Sequence, residues 1–199
     1  MTNKFRFGAA GVALAAAFAM STAAQAADSA TATATAEVVQ ALTLVKDTDM
    51  DFGKVVVAGA GTVDVATDGS ATCSANITCY STTSAADFSI TTGSIGKSVT
   101  VNLPTGPIDL IRAGAVDPGT GFAAADKIEL DGFVTDATSN DILDTDGVTV
   151  LGQYYTVTLV DDGSGNGSAA FSIGGTITLD GSEVEGVYSN TFDVSVEYT

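Results

Sequence analysis

The sequence contains no histidine and no tryptophan. Without His, the commonest general base and the commonest metal-ligating ring are both missing, which excludes Ser-His-Asp, Cys-His and zinc-hydrolase chemistry. Cations are scarce as well: 7 Lys and Arg stand against 24 Asp and Glu, a formal charge of −17 in 199 residues. Nucleic-acid phosphates need Lys and Arg to release their counterions, so a DNA or RNA partner is excluded on charge. Aromatic residues make up only 7% of the chain, which leaves few platforms for stacking a sugar. No apolar run reaches the roughly 20 residues that cross a bilayer; the longest, Gly8 to Met20, has 13.

That run has a role of its own. Lys4 and Arg6 precede it and Ala24-Gln25-Ala26 follows it, the small-x-small pattern of a secretory signal peptide over residues 1–26. Removing it leaves 173 residues with no membrane span, and the net charge moves to −19 because both cations leave with the signal. The expected destination is across the inner membrane to the periplasm, then the cell surface or medium. Export also decides the reading of the two cysteines. Cys73 and Cys79 are six positions apart in a chain bound for an oxidising compartment, which points to a disulfide. Without His or further Cys, no zinc site could be completed around them. A loop this short contributes roughly 2 kcal/mol on the chain-entropy account.

What the chain does have is Thr, Val, Ala and Gly arranged with period two, the pattern of an all-β protein. Strands are expected at Ala30–Leu44, Val55–Val57, Val63–Ala66, Phe88–Thr91, Val99–Leu103, Lys127–Val134, Val148–Leu151, Tyr154–Val160, Ala170–Ile173, Thr176–Leu179 and Val187–Tyr198. Turn signals such as Asp68-Gly69, Asp146-Gly147 and Asp180-Gly181 separate them. Short strands at this spacing predict a β-sandwich. Pro104 to Ala125, which holds all three prolines, reads as an insertion loop.

The two ends carry the most information. Ala30, Ala32, Ala34, Ala36 and Val38 alternate with Thr31, Thr33, Thr35 and Glu37, and the pattern continues to Leu44. Either this is a strand near 50 Å long, which must bend between sheets or reach beyond its own domain, or its first part is a frayed Thr-Ala tail. At the other end Phe192, Val194, Val196 and Tyr198 share one face, and the strand stops one residue before the C-terminus. Such a strand can close a sandwich, or present an edge that recruits another strand.

Leu42-Thr43-Leu44 leading to Met50-Asp51-Phe52-Gly53, Phe88 to Gly93, Leu103-Pro104, Ile173 to Thr176, and Gly186-Val187-Tyr188 running into Phe192 to Tyr198 resemble, in this order, the DUF4402 family of exported bacterial β-proteins. They also resemble the chaperone-usher pilins and spore-coat-U-like subunits. The resemblance implies an immunoglobulin-like β-sandwich with an extended N-terminal strand, divided as residues 27–45 (extension or donor strand) and 46–199 (sandwich). It implies a pilus or coat subunit assembled by donor-strand exchange, with a periplasmic chaperone, an outer-membrane usher and other copies or related subunits as partners. Gly186, fourteenth from the end, and the penultimate Tyr198 match the pilin C-terminal signature. On that basis Phe192, Val194, Val196 and Tyr198 would pair with the chaperone, and Ala30, Ala32, Ala34, Ala36 and Val38 would fill a neighbour's groove. Pilins commonly span two early strands with their disulfide, whereas Cys73 and Cys79 close a tight loop.

Other chemistry finds little support. Asp47, Asp49 and Asp51 have the spacing of an EF-hand start, but Phe52 and Ala58 stand where that loop needs Gly and Glu. Asn140, Asp141, Asp144 and Asp146 could gather around calcium or form a solvated acidic turn. No catalytic residue, cofactor or committed metal ligand emerges, and a non-catalytic protein is expected. The alternative to the pilus subunit is a self-contained secreted binding module, with calcium as a stabiliser. An outer-membrane barrel would need aromatic girdles that this composition does not supply.

Overall fold

An extended strand has stable hydrogen bonds only where a neighbour supplies them, and this requirement redraws the expected strands. The computed structural model describes residues 30–199; the expected signal peptide, residues 1–26, and the first residues of the extension lie outside them. Ala30 to Glu37 belong to a separate unit, form no strand and are exposed at every residue. The strand expected over Ala30–Leu44 therefore contracts to β1, Thr43–Thr48. Leu42 and Leu44 have core to pack against; Ala side chains bury too little area to hold a strand without a partner.

Val38–Thr199 form the second unit, an all-β body. After β1 come β2 (Val55–Val57), β3 (Gly61–Val65), β4 (Ala71–Cys73), β5 (Ile77–Cys79), β6 (Ala86–Thr92), β7 (Ser98–Asn102) and β8 (Ile108–Arg112). They are followed by β9 (Lys127–Thr135), β10 (Thr138–Leu143), β11 (Val150–Thr158), β12 (Val160–Asp161), β13 (Gly167–Leu179), β14 (Tyr188–Ser189) and β15 (Ser195–Tyr198). Among the described residues the one helical element is a 3₁₀ turn at Ala124–Asp126. The expected insertion loop contains β8, whose Leu110 packs on the second core. The strands expected at Ala170–Ile173 and Thr176–Leu179 are one, and the last expected strand breaks into β14 and β15.

β13 is the spine. One edge pairs first with β6, Ala169–Ile173 against Ile90–Ala86, and then with β3, Gly175–Leu179 against Val65–Gly61. Its other edge pairs with β12 and β9. The handover from β6 to β3 falls at Gly174, where a Cβ would collide with the Val65 carbonyl oxygen and lie 3.0 Å from the Ala66 carbonyl carbon. The principal path of this nine-stranded sheet is β1-β6-β13-β9-β8-β14; a second sheet runs β10-β11-β7-β15, and β2 and β5 form a separate ribbon.

Alternation along each strand builds two cores in a sandwich-like arrangement. Ile90, Phe171 and Ile173 from the large sheet meet Val99 and Val101 from the second, with Phe88 and Phe171 stacked at 5.5 Å. The other half of the large sheet buries Val63, Ile128, Leu130, Ile177 and Leu179 beneath the ribbon, which Ile77, Val55 and Val57 contribute. The Cys73–Cys79 disulfide joins β4 to β5 and so ties the ribbon to the large sheet.

The acidic excess is an excess of Asp, 19 against 5 Glu, and much of it closes turns. Asp51, Asp68, Asp117, Asp161, Asp162 and Asp180 each accept the backbone N–H two residues on, at 2.7–2.9 Å. The short Asp side chain forms this ring readily. Asp146 goes further. A hydrogen bond from the Thr149 hydroxyl and those from the Thr149 and Val148 amides hold its carboxyl down to about 2.

Two outcomes follow. Gly174→Ala should lower the unfolding free energy by about 2–3 kcal/mol in urea titrations, because the spine must move away from β3; an unchanged midpoint would refute the close approach. Asp146 has a folded-state pKa below its unfolded value, so its stabilising contribution is complete above about pH 4 and is lost as pH falls through about 2. A carboxyl-carbon NMR titration should place its midpoint near 2, and a midpoint near the ordinary Asp value would contradict the turn geometry.

Candidate functional site

β2 pairs only with β5, and β14 only with β8, so among the described residues each has one unpaired edge. Between these segments lies a cleft of about 910 Å³. One wall is Met50–Val57 and the other Glu183–Asn190 with Phe192, over a floor of Leu110, Ile128, Leu130, Ile177 and Leu179. Period two builds the first wall: Val55 and Val57 turn inward and Val56 is 54% exposed. The floor and the inward valines offer seats for apolar side chains, while Asp51, Lys54, Glu183, Glu185, Ser189 and Asn190 make the rest of the lining polar.

The second wall is pinned from behind. Arg112 Nε and a terminal guanidinium nitrogen both donate to Asp126 Oδ1, at 2.7 and 2.6 Å, and the arginine stem lies against Gly186. A Cβ at Gly186 would sit 2.8 Å from Arg112 Cγ, which gives the matched glycine a packing role. The Tyr188 hydroxyl lies 2.6 Å from the Val184 carbonyl and 2.8 Å from that of Ala125, donating its one proton between them. Burial pushes its pKa up, Asp126 and Glu183 add to the rise, and Arg112 opposes it.

Beyond the cleft the C-terminal alternation continues as expected. Phe192, Val194, Val196 and Tyr198 are half-buried against the first core, while Thr191, Asp193, Ser195 and Glu197 are exposed. β15 is the terminal strand of its sheet, bonded to β7 alone. On the large sheet the terminal strand is β1, whose Leu44, preceded by Leu42, packs on the same core. Leu42, Leu44 and Met50 on one side and Phe192 to Tyr198 on the other thus line two terminal segments of the body. The sequence singles out Gly186, Phe192, Val194, Val196 and Tyr198, but it does not join Phe52, Val55 and Leu110 to them as a site. The signal was present in Val55-Val56-Val57, expected as a strand but not as the wall of a site, and in Ile108-Asp109-Leu110, which fell inside the expected insertion loop.

Ala30, Ala32, Ala34 and Ala36 are exposed, and Val38, at the start of the second unit, is 93% exposed. Among the described residues no three His, Cys, Asp or Glu side chains gather where they could hold a metal ion. In the acidic segment Asp146 is engaged by its own turn, Asp141 accepts from Gln153 Nε2 at 3.0 Å, and Asp144 accepts from the Thr145 amide at 2.6 Å. No helix among the described residues is long and apolar enough to cross a membrane.

Neither the curated proteins nor the solved structures offer a match to this chain. Residues 42–198, from the start of β1 to the penultimate tyrosine, match a domain of unknown function, DUF4402. The matched segment takes in both cores, both cleft walls and β15, and the chain belongs to the DUF4402 family.

Proposed function

We propose that this protein is a non-catalytic structural subunit of a surface pilus or coat, exported to the periplasm and assembled by donor-strand exchange. The observation that carries this reading is the apolar-floored cleft between two segments with unpaired edges, continued by the half-buried face of Phe192 to Tyr198. An extended peptide laid between such edges gains main-chain hydrogen bonds for affinity and side-chain pockets for register. In this reading the body is an immunoglobulin-like sandwich short of one strand, and the missing strand comes from another subunit or, before assembly, from a periplasmic chaperone delivering to an outer-membrane usher. The donor is the exposed segment carrying Ala30, Ala32, Ala34, Ala36 and Val38. Alanine contributes little at about 25 cal/mol per Å² of buried apolar area, so main-chain bonding and Val38 carry most of the attraction.

Sedimentation of the chain from residue 27 onward tests this. Mass should rise with concentration for residues 27–199 and stay that of one subunit for residues 39–199, with both unfolding near the same urea midpoint at concentrations where each is monomeric. Adding a peptide of residues 27–39 to the shortened chain at about 100 times its dissociation constant should stabilise it by about 2.7 kcal/mol. A full-length chain that stays monomeric at all concentrations, and a peptide without effect, would favour the self-contained secreted module instead.

A further inference from the structure

The exposed donor segment meets the folded body at an abrupt boundary. Val38 is 93% exposed and Val39 39%, yet the next two residues are held by three side chains from two places in the chain. The Gln40 amide donates to Ser94 Oγ at 2.9 Å, and the Gln40 carbonyl accepts from the Tyr198 hydroxyl at 2.7 Å. That hydroxyl in turn accepts the Ser94 amide at 2.9 Å, closing a ring of three residues. The Ala41 carbonyl accepts from Thr92 Oγ1 at 3.0 Å. Space for the ring comes from Gly93, where a Cβ would lie 3.3 Å from the Tyr198 hydroxyl oxygen and 3.0 Å from Leu42 Cδ2, and would collide with Leu159. None of these bonds belongs to a strand ladder; they fasten the chain before β1 begins.

We infer that Tyr198, Ser94 and Gln40 form a clamp that roots the donor arm, so that the exchangeable segment ends at Val39 and leaves the body beside the C-terminus. This rests on the donor-strand reading and deepens it. The penultimate tyrosine is then a positioning residue with an internal task, its hydroxyl committed as donor and acceptor. The root also bears on which copy the arm can fill. β15 runs toward Tyr198, so chain rooted at Gln40 could lie along its own β15 only in parallel, the less stable pairing. An arm from a second copy meets no such restriction, and a fixed root therefore favours exchange between copies over closure on the same copy.

Tyr198→Phe keeps the ring and removes the hydroxyl, and Ser94→Ala keeps the backbone donor and removes the acceptor for Gln40. In monomeric protein both should raise amide exchange at Gln40 at least tenfold, with the urea midpoint and the exchange of β13 amides unchanged. At matched concentration both should lower the multimer fraction of residues 27–199 several-fold. Unchanged Gln40 exchange in both variants overturns the clamp, and faster exchange with an unaltered multimer fraction overturns its positioning role. A wild-type chain that never multimerises counts against donor-strand exchange itself, while the exchange rates still decide whether the clamp exists.

Discussion

Every backbone donor and acceptor in a sheet needs a neighbour, and the described residues of this fold leave part of that demand unmet. β13 is paired along both edges and its side chains reach both cores. Among the described residues the terminal strands β1, β10, β14 and β15 and the ribbon strand β2 are each paired on one side alone. Apolar side chains continue to these open edges, so unpaired main chain and half-buried hydrophobic surface coincide along Met50–Val57 and Gly186–Tyr198. That coincidence, more than any single residue, gives the protein its proposed behaviour. A sheet edge with polar faces would be solvated, and an apolar face without free backbone would collapse.

The charge of the chain fits the same picture. Poor in cations and carrying Asp at its turns, the protein uses carboxylates as local hydrogen-bond acceptors that fix loop geometry. In the acidic turn that follows β10, Asp146 alone collects two amides and a hydroxyl.

Some of this was legible in the sequence and some was not, for physical reasons. Period two at Phe192–Tyr198 identified the buried face because alternation is intrinsic to a strand. The same pattern at Ala30–Ala36 did not yield a strand, since alternation describes which side a residue would face and says nothing about whether a partner is there. Gly174-Gly175 looked like a break between two strands and is instead the place where one strand changes neighbours, a distinction set by the approach of Val65 from over a hundred residues earlier. Cys73 and Cys79 were paired from spacing and compartment alone. The cleft was out of reach, because its walls come from residues near 55 and near 187 and its floor from three further strands. The role of Tyr198 in holding Gln40, 158 positions away, was equally invisible.

The claim on which the account stands is that the open edges of β2 and β14, on the two sides of the cleft, accept a strand from another copy. Residue-resolved amide exchange of the shortened chain, residues 39–199, with and without a peptide of residues 27–39, addresses it directly. The account predicts new protection confined to amides of Val55–Val57 and Tyr188–Ser189 when the peptide is present. Peptide binding without protection at either edge, or no binding at all, would contradict it.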